Sequence, residues 1–192
     1  MFDIQTQLFE GKDVRFGPID YEKDPAVESV WTHDSDFVRL YDVEPARPMS
    51  AAMVKKSYEK LEKSIEEDKN KYYFTIRSKE DDRLIGKILV QGIEWTNGNC
   101  WIQLGIGAAA DRRKGYGAQS LGMLLRFLFG ELNLHRVSAR VPEYNEAAFA
   151  LFEKFGFVEE IRRRQAVERD GRRWDMIVFG LLKAEWASQA NP

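Results

Sequence analysis

Apolar and polar positions alternate with two different periods along the chain. Between Ser50 and Asp68, Val54, Tyr58, Leu61 and Ile65 recur every three or four residues, which predicts a helix with one apolar and one charged face. Ser50 supplies its N-cap. Shorter helical stretches are expected at Pro25–Trp31 and Ser35–Tyr41, followed by the proline-bearing loop VEPARPMS. DVRFGPI, around Val14 to Ile19, reads as a first strand stopped by Gly17 and Pro18. From Tyr72 the period shortens. YYFTIR (Tyr72–Arg77), LIGKILVQGIEW (Leu84–Trp95) and CWIQLGIGA (Cys100–Ala108) read as strands separated by KEDD and TNGN, and Asn97-Gly98 between two such runs is a strong hairpin signal.

Beyond Ala108 the helical period returns. Leu121, Leu124, Leu125, Leu128 and Leu132 form one stripe of a helix ending near Asn133, and HRVSARV follows as a strand. A helix from Asn145 to about Phe155 is closed by Gly156. FVEEIRRRQAV and RWDMIVFGLL then form a hairpin about Asp170-Gly171. A strand, a helix and a strand in the middle of this order imply one right-handed parallel crossover. The expected fold class is therefore α+β: a mixed, mostly antiparallel central sheet with one parallel crossover and helices on both faces. A doubly wound sheet is excluded, because only one crossover is present.

Composition narrows the class. The 192 residues suit one domain, and 44% hydrophobic with 31% charged residues is a globular balance. No apolar run approaches the roughly 20 residues of a membrane helix. The opening MFDIQTQLFEGKD lacks the basic and apolar regions of a secretory signal, so a cytoplasmic location is the expectation. The single Cys100 excludes an internal disulfide framework. With only His33 and His135 as histidines, no metal site is expected. A net charge of −2 makes nucleic acid an unlikely partner, since nonspecific binding depends on a basic surface.

The chemistry concentrates in DRRKGYGAQS, Asp111 to Ser120, between a strand and a helix. A helix N-terminus presents N–H groups without intrahelical partners and about half a positive charge. Anions bind there, Gly115 and Gly117 let a phosphate reach the backbone, and Arg112, Arg113 and Lys114 add counter-charge. On these residues alone, a phosphate cradle and an ordinary turn with solvated cations are equally good readings. The spacing is neither a P-loop nor a dinucleotide fingerprint.

The run RRKGYG, Arg112 to Gly117, matches the (Q/R)xxGx(G/A) motif of the GNAT acetyltransferases. VPEYNEAAFALFEKFGFVEE, Val141 to Glu160, resembles that family's asparagine-bearing helix and "EK.GF" segment. With the tail RRRQAVERDGRRWDMIVFGLLKAEW, the chain is similar to the subgroup that contains ribosomal-protein N-terminal acetyltransferases and many small-molecule N-acetyltransferases. The resemblance covers about residues 84–186 and is weak over the first 70. It implies a single N-acetyltransferase domain over 1–192, with acceptor-side helices at about 20–70 and an acyl-CoA-binding core at about 84–186. It implies acetyl-CoA as cosubstrate, without a metal, and an amine acceptor that is a small molecule or a protein N-terminus. The protein would be a monomer or homodimer with no membrane partner.

By the same resemblance, backbone N–H groups from Arg113 to Ala118, including Lys114, Gly115, Tyr116 and Gly117, would hold the pyrophosphate beside Arg112. Ile106, Gly107 and Ala108 would pair with the pantetheine arm, and Asn145 would contact it. Phe152 occupies a position where many relatives carry a tyrosine that protonates the leaving sulfur. Gln103 and Ala148 stand where relatives often carry a glutamate and a serine. The usual proton carriers are thus absent, and the weak catalytic candidates that remain are Glu94, Glu143, Tyr144 and Asn145. Asp34 and Glu44 fall in the N-terminal region expected to cover the acceptor, and His33 and Tyr41 are its substrate-side candidates. Trp31, Phe37 and Tyr41 form an aromatic stripe suited to a pocket wall. The missing acid and base also admit an alternative, a non-catalytic acyl-CoA-binding or sensor module.

Overall fold

The computed structural model describes residues 7–189; the MFDIQT part of the N-terminal reading lies outside them. Seven strands form one sheet: β1 (Val14–Gly17), β2 (Tyr72–Ser78), β3 (Leu84–Glu94), β4 (Asn99–Ile106), β5 (Arg136–Pro142), β6 (Val158–Arg169) and β7 (Arg172–Leu182). Their order across the sheet is β1-β2-β3-β4-β5-β7-β6. Every neighbouring pair is antiparallel except β4 with β5. The expected mixed sheet with one parallel crossover is what forms.

The crossover helix α4 (Tyr116–Arg126) buries Leu121, Leu124 and Leu125 against Ile88, Val90 and Ile102 of the sheet. The stripe continues past Arg126 as a π-helical turn, Phe127–Glu131, in which Leu132 N–H donates to the Phe127 carbonyl. The expected helix ending near Asn133 is therefore α-helical over its first part only. Helix α5 (Glu146–Lys154) packs on the same side, with Phe152 against Phe157 and Phe179.

Helices α1 (Asp24–Thr32), α2 (Ser35–Tyr41) and α3 (Ala51–Asp68) cover the other side. Ser50 caps α3 by accepting from Met53 N–H at 3.3 Å. Trp31, Phe37 and Leu84 form a second, smaller core there. Gly107 must be glycine for that packing, because a Cβ at this point would run into the Trp31 indole. A last helix, α6 (Lys183–Gln189), was not expected from the pattern. Asp170 and Gly171 both take positive φ, 53° and 72°, the geometry of a tight primed hairpin turn.

Beneath α1 lie two ion pairs, one buried and one part-buried. Arg77 donates to Asp24 at 2.6 Å, and Lys87 to Glu28 at 2.5 Å, where the Tyr58 hydroxyl also donates. Burial raises the Asp24 carboxyl above its ordinary value, against the opposing pull of the Asp20 N–H and Arg77. Removing one member of such a pair strands a charge, so Arg77→Met is expected to cost about 3–5 kcal/mol in urea unfolding at pH 7. A carboxyl with a raised folded-state pKa binds its proton more tightly when folded, so stability returns as pH falls through that pKa. The gap between variant and wild type should narrow on acidification from pH 7 to 5, and a constant gap would contradict this account.

Candidate active site

The parallel ladder between β4 and β5 ends at Ile102 and Ala139. Beyond it each strand stays attached on its outer side only: β4 to β3 as far as Ile106, and β5 to β7 as far as Pro142. Gln103 to Ile106 therefore face a gap. A cavity of about 850 Å³ runs along it, walled by Leu104, Gly105 and Ile106, the N-terminus of α4, and Asn145, Ala148 and Leu151 of the α5 region.

At one end lies the DRRKGYGAQS loop. Asp111 is buried and receives two hydrogen bonds from Arg83, at 2.5 and 2.7 Å, which hold its carboxyl below the ordinary range and anchor the loop. Arg113 and Gly115 both turn through positive φ, 62° and 85°. Gly115 is the N-cap of α4, and no side chain caps the helix. The N–H groups of Tyr116, Gly117 and Ala118 open the helix, and Gly117 and Ala118 line the cavity. A Cβ on Gly115 would meet nothing within 4 Å, and one on Gly117 only the side chains of Leu104, Leu151 and Ile106 at 3.8–3.9 Å, so the described residues leave the backbone at Gly115 open to an anion. The expected cradle fits a pyrophosphate by this test.

The charges around the cavity point the same way. Arg39, Arg112, Arg113, Arg169 and Arg172 line it against Asp36 and Asp170. Arg39 closes onto Asp170 at 3.0 and 3.1 Å, joining α2 to the β6–β7 turn. Arg172 stacks 3.8 Å from the Trp174 ring centroid. Arg112 bonds Asp34 and the Gly107 carbonyl, each at 2.6 Å. Burial works to raise the Asp34 carboxyl, but hydrogen bonds from Arg112 and from the Phe37 and Asp36 N–H groups outweigh it and hold the group low.

The C-terminus of α2 explains several sequence candidates differently. A helix end leaves its last carbonyls without partners. Here the Arg39 carbonyl accepts from the Tyr144 hydroxyl at 2.9 Å, that of Leu40 from the Asn145 amide at 2.9 Å, and that of Tyr41 from the Gln103 amide at 2.7 Å. Asn145 also caps α5 through Ala148 N–H. These residues pin α2 across the gap. Tyr41 itself has a ring stacked on Phe37 and under Lys87, and burial, then Glu28 and Asp42, push its hydroxyl pKa far up, so it keeps its proton.

Of the predicted site residues, Ile106, Arg112, Arg113, Gly115, Gly117, Ala118, Tyr144, Asn145 and Tyr41 come together on this cavity. Others do not. Phe152 faces the core, and Leu151, one turn beyond Ala147, takes the cavity wall. Gly107 and Ala108 lie past the end of β4; Gly107 N–H is taken by the Ile85 carbonyl, so the strand edge open to a ligand is Leu104–Ile106. Lys114 pairs with Asp111 at 3.7 Å, and Tyr116 packs on the core. Glu94 accepts from Asn97 and Asn99 and serves its own turn. Glu143 accepts from Arg162 and the Asp175 N–H, away from the cavity. Exposed His33 is held at the Met49 carbonyl, and Trp31 is core beneath Gly107 rather than pocket wall. Burial pushes the Cys100 thiol up to about 12, which leaves no nucleophile there.

The family model described as an acetyltransferase (GNAT) domain matches residues 14–158. The chain belongs to the GNAT acetyltransferase family. Among curated GNAT relatives, it is 29% identical over 147 residues to the prophage-derived N-acetyltransferase YokL of Bacillus subtilis (strain 168), covering 76% of this chain and 82% of that protein. It is 30% identical to YdaF of the same organism, which carries the name of a ribosomal N-acetyltransferase, over 57% of this chain and 59% of YdaF. A spermidine N-acetyltransferase from Vibrio cholerae, solved with CoA and spermine, superposes with a TM-score of 0.77 at 20% identity, over 91% of this chain and 98% of that one. That likeness supports the GNAT fold. The resemblance noted from RRKGYG and the Asn145 helix thus holds at the level of the family.

The cradle gives a direct test. Gly117→Asp places a carboxylate against the α4 N-terminus and is expected to weaken CoA binding well over tenfold, more than about 1.4 kcal/mol, by calorimetry. A folded variant with unchanged affinity would refute this position for the phosphates.

Proposed function

We propose that the protein transfers an acetyl group from acetyl-CoA to a primary amine by direct attack, without an acetylated enzyme. One observation carries this reading: an uncapped helix N-terminus and a cluster of arginines open onto a cavity that follows the unpaired edge of β4. The pyrophosphate would lie on the N–H groups of Tyr116 to Ala118, beside Arg113. The pantetheine would follow Leu104–Ile106 as an added strand. Its amides would meet backbone groups that have no strand neighbour on that side.

The chain's own residues bind and orient in this scheme, and the candidates named from the sequence are not placed to take the proton. Gln103, Tyr144 and Asn145 spend hydrogen bonds on α2, Tyr41 stays protonated, and Glu94 and Glu143 lie elsewhere. The amine must therefore give its proton to solvent before it attacks. An α-amine of pKa about 8 is roughly 10% neutral at pH 7, and an alkylamine of pKa about 10.4 well under 0.1%. The first class of acceptor suits such a site better, which agrees with the ribosomal-protein part of the sequence resemblance; YdaF carries the name of a ribosomal N-acetyltransferase.

In a thiol-release assay over pH 6 to 9, kcat/KM is expected to climb about tenfold per unit until the acceptor's own pKa is reached, and the break should move when the acceptor is changed. A break at one pH for every acceptor would assign a protein base and overturn the reading. Cys100→Ala should keep full transfer, with no acetylated protein by mass spectrometry. If acetyl-CoA binds and no amine accelerates thiol release, the sensor alternative wins.

A further inference from the structure

A second cavity, of about 540 Å³, opens at the same break in the sheet. Gln103 and Arg140, the first residues past the last paired Ile102 and Ala139, both line it, and Tyr41 is shared with the donor cavity. The Gln103 amide bonded to the Tyr41 carbonyl stands between the two. Trp101 forms the floor. A bulge in β3 at Gly92, with φ 58°, passes beside the indole, 3.5 Å from where a Cβ would stand.

Arg140 is the distinctive group. Its guanidinium lies 4.4 Å from the Trp101 ring centroid, and the residue is exposed. No carboxylate of the described residues pairs with it, whereas Arg136 on the same strand is paired with Glu160 and Arg162 with Glu143, Glu159 and Asp175. An aromatic floor holds a guanidinium in place while leaving its fork of donors free for a planar anion. The other cation in the cavity, Lys71, is already paired with Asp68. Asp42 uses Oδ1 for the Val43 and Glu44 N–H groups, and Oδ2 takes no bond from the described residues. The cavity thus offers one free cation and one free anion.

We infer that this cavity receives the acceptor, and that the acceptor carries a carboxylate as well as its amine. The inference rests on the acetyl-transfer reading above. Arg140 binds the carboxylate over Trp101, and Asp42 attracts the ammonium toward the Tyr41–Gln103 divide. After loss of its ammonium proton to solvent, the nitrogen bonds the acetyl carbon, the carbon–sulfur bond breaks, and one amine proton ends on the sulfur. A polyamine fits poorly, because its further cations would lie against Arg140 and Lys71.

The test uses matched pairs differing only in the anion: 3-aminopropionate and propylamine, 4-aminobutyrate and butylamine, 6-aminohexanoate and hexylamine, with spermidine as a polycation. The C-terminally amidated dipeptides alanyl-aspartate amide and alanyl-asparagine amide represent peptide N-termini. Each is titrated into the full chain with CoA by calorimetry, and assayed for thiol release from acetyl-CoA. In at least one pair the acid should bind tenfold or more tighter. That preference should vanish in Arg140→Gln and return in part in Arg140→Lys, with CoA affinity unchanged. Which pair responds separates a small amino acid from a peptide. Equal or better binding of the member without the carboxylate in every pair, or of spermidine, overturns the inference, as does a preference that survives Arg140→Gln. A preference seen in binding without thiol release from any acceptor supports the anion site and overturns the acetyl-transfer reading instead.

Discussion

Parallel pairing between β4 and β5 stops after Ile102 and Ala139, and the rest of the site depends on that break. The two strands can part because each keeps a full antiparallel partner on its outer side. Their inner edges then lack partners, which is costly for a buried backbone and useful for a ligand with amides of its own. Gln103, Tyr144 and Asn145 flank the break, and all three turn to the last carbonyls of α2. A short helix that could not hold its own end is fixed across the gap by the residues that flank it.

That arrangement changes the meaning of Tyr144 and Asn145. Their place beside a cavity invites a catalytic role, yet their polar atoms are occupied by backbone groups in the protein itself. On the proposed reading, catalysis falls to positioning and to the intrinsic basicity of the acceptor. Holding two reactants in register supplies much of a barrier reduction without any group that titrates. The absence of a carboxylate at Gln103 is consistent with such an enzyme, provided its acceptor is only weakly basic.

Charge divides the site into two parts. The donor cavity is rich in arginine, and much of that charge is tied down: Arg112 to Asp34, Arg39 to Asp170, and Arg169 to the Val43 and Glu44 carbonyls. These contacts link the α4 loop and the β6–β7 turn to α2 and the segment after it. A chain with net charge −2 overall can in this way present a cationic trough without a generally basic surface.

The sequence by itself determined the elements and the place of the proposed cradle. Period-two runs, Asn97-Gly98 and Asp170-Gly171 set the strands, the leucine stripe set α4, and RRKGYG marked its N-terminus, because each is a local pattern whose meaning depends on residues a few positions apart. The π turn at Phe127 and the phase of α5 escaped it. Leu151 and Phe152 are equally apolar neighbours, and only packing against Phe157 and Phe179 shows that Phe152 points inward. The roles of Glu94, Glu143 and His33 were likewise undecidable, since their partners are chosen by the fold. Only the tertiary structure brought together the residues of the proposed acceptor site. Arg140 over Trp101 and Asp42 beside Tyr41 meet across segments distant in the chain, and whether a charge is paired or free is a property of the space around it rather than of its neighbours in sequence.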